Sequence, residues 1–228
     1  MSSTRSATLR GAVAFSFLCT IPLLYALLLI PVATHYVYNR VVHQNFYEVV
    51  PGRLYRSASM QPERLAQVIK DFKIKTVVDL RLGGPGDLKY GVSEKQVVES
   101  SGAAYVHAKF RSSALPTQQR LDRLFRVLDT AQSPILFHCA DGVHRTGFAT
   151  VLWLVEKENL SFSQAMEQIS LWYGYFEPEQ LFKKLVSGEP NLLSPLFWYE
   201  DKHATDGPGL RAWLEGEIYP TLRSDLSS

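Results

Sequence analysis

At 228 residues the chain has room for one membrane segment and one domain of ordinary size. Its 24 basic and 22 acidic side chains leave a net charge of +2, which gives no electrostatic footprint for a nucleic acid. The two cysteines, Cys19 and Cys139, are too few for a disulfide framework.

Residues 11–33 carry no Asp, Glu, Lys or Arg and match the ~20 apolar residues that a bilayer crossing takes. Arg5, Arg10 and the α-amino group precede this run, and Arg40 and Glu48 nearly cancel after it. The bias of basic flanks therefore puts residues 1–10 in the cytoplasm as a short tail. The rest is expected on the exported, periplasmic side of a single-pass membrane protein. A signal peptide cleaved near Pro31-Val32-Ala33 is the competing reading. The apolar run exceeds the usual ~7–15-residue core of such a peptide, so an uncleaved anchor is expected. Cys19 then fills apolar space within the span. Residues 34–45 form a connector whose Tyr36 and Tyr38 suit a membrane interface.

The catalytic domain is expected over 46–228. Residues 49–52 read as a turn and 54–58 as a short strand. Pro62 suits a first helical position, with an amphipathic helix running from Glu63 to Phe72. A strand follows over 74–80, then the Gly83-Gly84-Pro85-Gly86 loop. A helix over 93–101 should expose Glu94, Lys95 and Glu99. A strand over 104–107 precedes a helix over 116–130, with Leu121, Leu124, Val127 and Leu128 on its apolar face. Beyond the next strand, at 135–137, Ser161 caps a helix through Ile169 and Pro178 opens another through Val186. An aromatic-rich tail with Trp198, Tyr199, Trp213 and Tyr219 reads as a helical extension packed on the core. Strands alternating with helices at this spacing predict an α/β fold, a central mostly parallel sheet flanked by helices. Its ligand belongs at the carboxyl ends of the strands.

The stretch 135–147, Ile-Leu-Phe-His-Cys-Ala-Asp-Gly-Val-His-Arg-Thr-Gly, is where chemistry concentrates. A buried strand feeds a tight loop containing Gly142, and Thr146 and Gly147 open an apolar segment of helical length. A loop entering a helix N-terminus aims several backbone N–H groups at one point, and the helix dipole adds positive potential there. Such a cradle holds an anion on Ala140, Asp141, Gly142, Val143, His144 and Arg145. A cysteine at its base, Cys139, is stabilised as thiolate by the same field. Arg145 can grip two phosphate oxygens in a bidentate fork.

The pattern His138-Cys139-x5-Arg145-Thr146-Gly147 resembles the H-C-x5-R-[ST]-G signature of cysteine-dependent phosphatases, the tyrosine and dual-specificity phosphatase superfamily, here of a membrane-anchored bacterial type. The resemblance spans roughly 46–185. It implies a phosphomonoester hydrolase with Cys139 as nucleophile and a cysteinyl-phosphate intermediate, Arg145 on the equatorial oxygens, Thr146 on the sulfur and His138 orienting the loop. It requires no metal and no cofactor. The 54–57 stretch, Leu-Tyr-Arg-Ser, is similar to the opening strand of small bacterial enzymes of this type, which places Arg56 either near the site or at the surface. Asp79 is tempting as an acid, but the family's polar residue at this point supports the neighbouring loop. The loop that carries the family's usual aspartate acid runs over 107–116 here and contains no Asp or Glu, while Asp122 and Asp129 beyond it read as exposed helix positions. The nearest acid is then Asp141, which is matched by an aspartate in myotubularin-type phosphoinositide phosphatases; it is read either as a brace of the loop through backbone N–H groups or as the acid, with His144 competing for the acid role.

Other readings of the loop explain less. His138, Cys139 and His144 as metal ligands lack any supporting C-x-x-C or H-x-x-x-H pair. A rhodanese-like sulfur carrier does not need the Arg-Thr-Gly. A buried inert thiol leaves Gly142, Arg145 and Gly147 unexplained. A pseudophosphatase module that binds phosphate with little turnover is the surviving alternative. The expected substrate is a phosphorylated protein, at tyrosine or serine, or a phosphorylated lipid or sugar headgroup, favoured by the membrane anchor, the loop Lys109-Phe110-Arg111 and the Cys-x-Asp-Gly pattern that the chain shares with phosphoinositide phosphatases.

Overall fold

The computed structural model describes residues 20, 25–27, 29–39, 42–83, 92–175, 190–203 and 209–220. The chain divides into two compact units, Met1–Val42 and His43–Ser228.

The first unit corrects the expected membrane span. Among the described residues no helix is long and apolar enough to cross a membrane. Residues 11–19, 21–24 and 28 of the expected run, with Cys19, lie outside the described residues. The described residues 29–39 form a helical stretch. It carries His35 and Asn39, with Asn39 Nδ2 2.8 Å from His35 Nε2, where a connector was expected. A single-pass, periplasmic placement therefore has no support in the structure.

The second unit is built on a five-stranded mixed sheet in the order β1-β2-β5-β3-β4. The strands are β1 (Tyr47–Val50), β2 (Leu54–Ala58), β3 (Thr76–Asp79), β4 (Ala104–His107) and β5 (Ile135–Cys139). β2, β5, β3 and β4 run parallel, and β1 is the antiparallel edge. Val49 and Val50, expected in a turn, belong to β1. The turn is one step later, where Gly52 adopts φ +64° and the Arg53 N–H donates to Val50 O at 2.9 Å. Glu48 pins this hairpin by accepting from Gly52 N at 2.9 Å and from the Tyr55 hydroxyl at 2.7 Å.

Both faces of the sheet are covered. Leu65, Val68 and Ile69 of α1 (Pro62–Asp71) and Val98 of α2 (Glu94–Ser100) pack with Val77 and Leu136 on one face. On the other, Leu121, Leu124 and Phe125 of α3 (Gln118–Thr130) and the body of α4 (His144–Glu158) pack with Val78, Ile135 and Phe137. Successive strand side chains point to opposite faces. Along β5 the alternation sends Ile135, Phe137 and Cys139 toward α4 and Leu136 toward α1.

α4 is buried along an unbroken run from Thr146 to Leu154, as a helix apolar all round must be. Each large apolar side chain there is worth ~1.5–3 kcal/mol of burial, so the helix start beside Cys139 is firmly anchored. Ser161 caps α5 (Phe162–Met166) through a reciprocal box with Gln164, but that helix stops three residues short of Ile169. The expected helix from Pro178 lies outside the described residues, as do Gly84, Pro85 and Gly86. The C-terminal extension is helical: α6 (Ser194–Lys202) and α7 (Leu210–Trp213) continue into a wider turn over Leu214–Ile218. Tyr199, Trp213 and Tyr219 join the core on the α4 side, whereas Trp198 is exposed.

Candidate active site

β5 ends at Cys139 and α4 begins at His144, so residues 140–143 form the expected loop at the carboxyl end of a central strand. Gly142 makes this loop possible. It sits at φ +69°, and a Cβ there would meet Ala58 N and Ser57 C at 2.6 Å and Ser57 O at 2.8 Å. Only glycine lets the loop lie this close against the end of β2.

Four successive carbonyls of the loop are held on its outer side. Cys139 O accepts from the Ser59 hydroxyl at 3.1 Å and Ala140 O from Ser59 N at 3.3 Å. Asp141 O accepts from Asn45 Nδ2 at 3.1 Å. Gly142 O accepts from Asn45 Nδ2 at 3.0 Å and from Arg56 Nη2 at 2.8 Å. In a trans peptide the C=O and the following N–H point in opposite directions. Anchoring these carbonyls outward therefore turns the N–H groups of residues 140–143 inward, which is the geometry of an anion cradle.

Cys139 is 2 % exposed at the base of the cradle. Burial pushes its thiol up. The Arg145 guanidinium, the Thr146 hydroxyl and the N–H groups of Thr146 and Asp141 outweigh that, so the thiol is held below its ordinary range. Thr146 is fully buried, and its own carbonyl accepts from the Thr150 hydroxyl at 2.8 Å. Asp141 is exposed at the mouth of the loop, and Ala140, His144 and Arg145 are half-buried. His144 meets the edge of Tyr175 at 5.6 Å between ring centres. Val143 is buried.

His138 points to the opposite face of the sheet from Cys139. Its Nε2 lies 2.8 Å from Glu94 Oε1 and 4.0 Å from Asp79 Oδ1. The Glu94 contact is a close approach of charges more than an aligned hydrogen bond. Burial lowers the His138 pKa, but Glu94 and Asp79 together raise it above its ordinary value. Arg81 bridges the two carboxylates at 2.8 and 2.7 Å and also donates to the Ser59 hydroxyl at 3.1 Å. Asp79 accepts the Tyr105 hydroxyl at 2.9 Å. The partners of Asp79 are thus Arg81, Tyr105 and the His138 imidazole. Glu94, expected in solvent, is half-buried against His138 instead. One ligand atom each from Asp79, Glu94 and His138 lies within 4.8 Å of the others, a spacing that would suit a metal ion. The cation between these carboxylates is the Arg81 guanidinium.

Of the two places expected for Arg56, the structure gives the one near the site and not the surface. Arg56 is fully buried under the loop. Besides Gly142 O it donates to Gln168 O at 2.8 Å and Gln168 Oε1 at 2.9 Å, and its guanidinium lies 4.2 Å from the centre of the Tyr173 ring. Asn45 Nδ2 also reaches Tyr173 O at 2.9 Å. Periodicity could not reveal these residues, since Asn45 and Ser59 contact the loop, Arg81 contacts Ser59 and Glu94 contacts His138 only across the fold. Of the two alternative acids on α3, Asp122 accepts from the Tyr219 hydroxyl and Asp129 pairs with Lys157 and Arg211, so both have structural partners.

A mixed, mostly parallel α/β sheet with a cysteine in an anion-cradling loop, followed by an arginine at the start of a buried helix, is the arrangement of the cysteine-dependent phosphatase superfamily. A profile described as the tyrosine phosphatase family matches residues 40–156 of the 228, and the chain belongs to that family. Among solved structures it is similar to TpbA of P. aeruginosa, at 16 % identity over 82 % of this chain and 92 % of that one, with a TM-score of 0.48. It is similar to Tk-PTP in its active form, at 20 % identity over 70 % of this chain and 97 % of that one, with a TM-score of 0.47. The core catalytic domain of the PP-IP phosphatase SIW14 from S. cerevisiae matches at 19 % identity over 70 % and 93 % of the two chains, with a TM-score of 0.46.

Proposed function

We propose that the chain hydrolyses phosphomonoesters on proteins, phosphotyrosine foremost, through a cysteinyl-phosphate at Cys139. The carrying observation is the buried thiol set beneath inward-turned N–H groups, with Arg145 and Thr146 lowering its pKa. The thiolate attacks phosphorus in line as the bond to the ester oxygen breaks, and that oxygen leaves as an alcohol after taking one proton. Water then attacks the thiophosphate, releases inorganic phosphate and returns the thiolate. Arg145 and the loop amides hold the equatorial oxygens as charge shifts. The Thr146 hydroxyl stabilises the departing sulfur in the second step. The leaving-group proton comes from the loop itself, from Asp141 at its exposed mouth, with His144 the second candidate on the same loop. The lipid-headgroup alternative loses the membrane span as support and keeps only the Lys109-Phe110-Arg111 loop and the Cys-x-Asp-Gly pattern that starts at Cys139.

The test is steady-state turnover of 4-nitrophenyl phosphate, followed by a phosphotyrosine and a phosphoserine peptide of the same sequence. The proposal expects turnover with release of one phosphate per ester and capture of a phosphorylated cysteine on acid quench. Tight vanadate binding with no turnover would instead make the chain a phosphate-binding pseudophosphatase.

A further inference from the structure

Arg56 is a buried cation for which the phosphatase reaction as written has no use. Its hydrogen-bond partners are two carbonyl oxygens and an amide oxygen, all neutral, and its flat face rests on Tyr173. Among the described residues no carboxylate pairs with it. An ion taken out of water without a counter-ion is costly. Burial accordingly pulls its pKa down to about 10, while Tyr173, Cys139 and Tyr47, in that order, favour its charge. The contrast with Arg81 is direct, since that guanidinium has Asp79 and Glu94 within 2.8 Å.

We infer that Arg56 is a second cation of the phosphate site, acting from beneath the loop. It holds Gly142 O so that the loop amides face inward, and its missing counter-ion is the Cys139 thiolate and the phosphate that replaces it. This rests on the phosphatase reading above and makes Arg56 a positioning residue, since the loop lies between it and the substrate. The charged groups around the thiol are few. From the loop and α4 come Arg145 and Asp141, the latter through its N–H. Arg56 comes from β2. On the far side of β5 are His138, Glu94, Asp79 and Arg81. Around Arg56 itself, Tyr47 from β1 and Tyr173 are the titratable groups, and their rings meet edge to face with centres 5.0 Å apart.

The experiment reads the thiol and the anion directly, without turnover. Alkylation of Cys139 by iodoacetamide, an uncharged reagent, is followed against pH in the full chain, and orthovanadate affinity is measured by thermal shift. Two variants change the charge by different routes. Arg56→Met keeps length and apolar bulk while removing the cation. Gln168→Glu leaves Arg56 in place and sets a carboxylate where the neutral Oε1 now lies 2.9 Å away. Both should raise the alkylation inflection by about one pH unit and weaken vanadate about tenfold. Arg56→Lys, which keeps charge and loses the fork, should hold the inflection near wild type while kcat falls. A low wild-type inflection that neither charge variant moves would overturn the inference and leave a purely structural Arg56. A wild-type inflection in the ordinary thiol range would overturn the phosphatase reading itself. If Arg56→Met fails to fold, Gln168→Glu decides alone, because Gln168 is only half-buried and adding an anion there does not remove a contact to the loop.

Discussion

Replacing Gly142 by alanine tests the whole construction of the loop with one methyl group. The positive φ of +69° alone costs an L-residue ~1–2 kcal/mol. The added Cβ would lie 2.6 Å from the backbone of Ser57 and Ala58, which are strand atoms that cannot swing aside. Easing that contact to an ordinary 3.4 Å lifts the loop by about 0.8 Å. Such a lift stretches the 2.8 Å bond from Arg56 and the 3.0 Å bond from Asn45 to Gly142 O beyond hydrogen-bond reach. A buried guanidinium and carbonyl left short of partners cost a further ~1–3 kcal/mol. The sum is a loss of about 2–5 kcal/mol in urea unfolding. The catalytic effect should be larger than the stability loss suggests. The carbonyl anchors fix the direction of the inward N–H groups, and a misplacement near 1 Å costs ~10²-fold in rate. The measurement is kcat/KM for 4-nitrophenyl phosphate on the folded variant, beside its unfolding curve. Wild-type stability with kcat/KM within about threefold of wild type would refute the idea that the loop is pressed on β2 and oriented from outside.

Cys139→Ser should abolish turnover in a protein that unfolds at nearly the wild-type temperature and still binds vanadate weakly; substantial residual hydrolysis would remove cysteine catalysis. If Asp141 supplies the leaving-group proton, Asp141→Asn should slow an alkyl phosphate ~10²–10⁴-fold and 4-nitrophenyl phosphate far less, since nitrophenolate leaves without a proton. Equal losses on both would leave Asp141 as a brace for the loop, and a leaving-group-dependent loss in His144→Ala would move the role there. His138 has its pKa raised in the fold, so its contribution to stability is complete below the unfolded value of ~6.5 and drains as pH rises through the raised one. Glu94→Gln should therefore destabilise the protein most on the acid side of that window and flatten the alkaline decline; an unchanged slope in urea titrations across pH 6–9 would sink the assignment.

What the sequence disclosed followed the range of its signals. Strand β5, the loop and α4 are legible because a short apolar run, a glycine and a long apolar run lie within one window of the chain. The boundaries of β2, β4 and α1 were legible for the same reason. β1 was missed because Val49 and Val50 abut Pro51-Gly52, and turn chemistry outweighed a four-residue strand that exists only by pairing with β2. Glu94 was misread because helix periodicity marks a face as polar without saying that a buried imidazole waits opposite it. Arg56 was visible as part of a familiar strand. Its burial was not, since the partners that make burial tolerable, Gln168 and Gly142, are more than 80 positions away in the chain. The membrane span rests on hydropathy alone, and among the described residues no helix is long and apolar enough to cross a membrane.

The alternation of β5 also separates two charge environments that the motif makes adjacent. His138 and Cys139 are neighbours in sequence but face opposite sides of the sheet. On the His138 side, when His138 is protonated, two cations, His138 and Arg81, meet two anions, Asp79 and Glu94, so the cluster is then neutral as a whole and its field falls off quickly with distance. It can stiffen the strand and, through Arg81 and Ser59, hold Cys139 O in place, yet it adds little net potential at the sulfur. On the Cys139 side the nearby side-chain charges are Arg145 and Arg56, joined by the positive end of a well-anchored helix. The stabilisation of the thiolate must come from that side. Variants of Asp79, Arg81 or Glu94 should thus show themselves first in stability and its pH dependence. Variants of Arg145 and Arg56 should show themselves first in the reactivity of the thiol, and a Glu94 variant that moved the Cys139 inflection as far as an Arg56 variant would break this division.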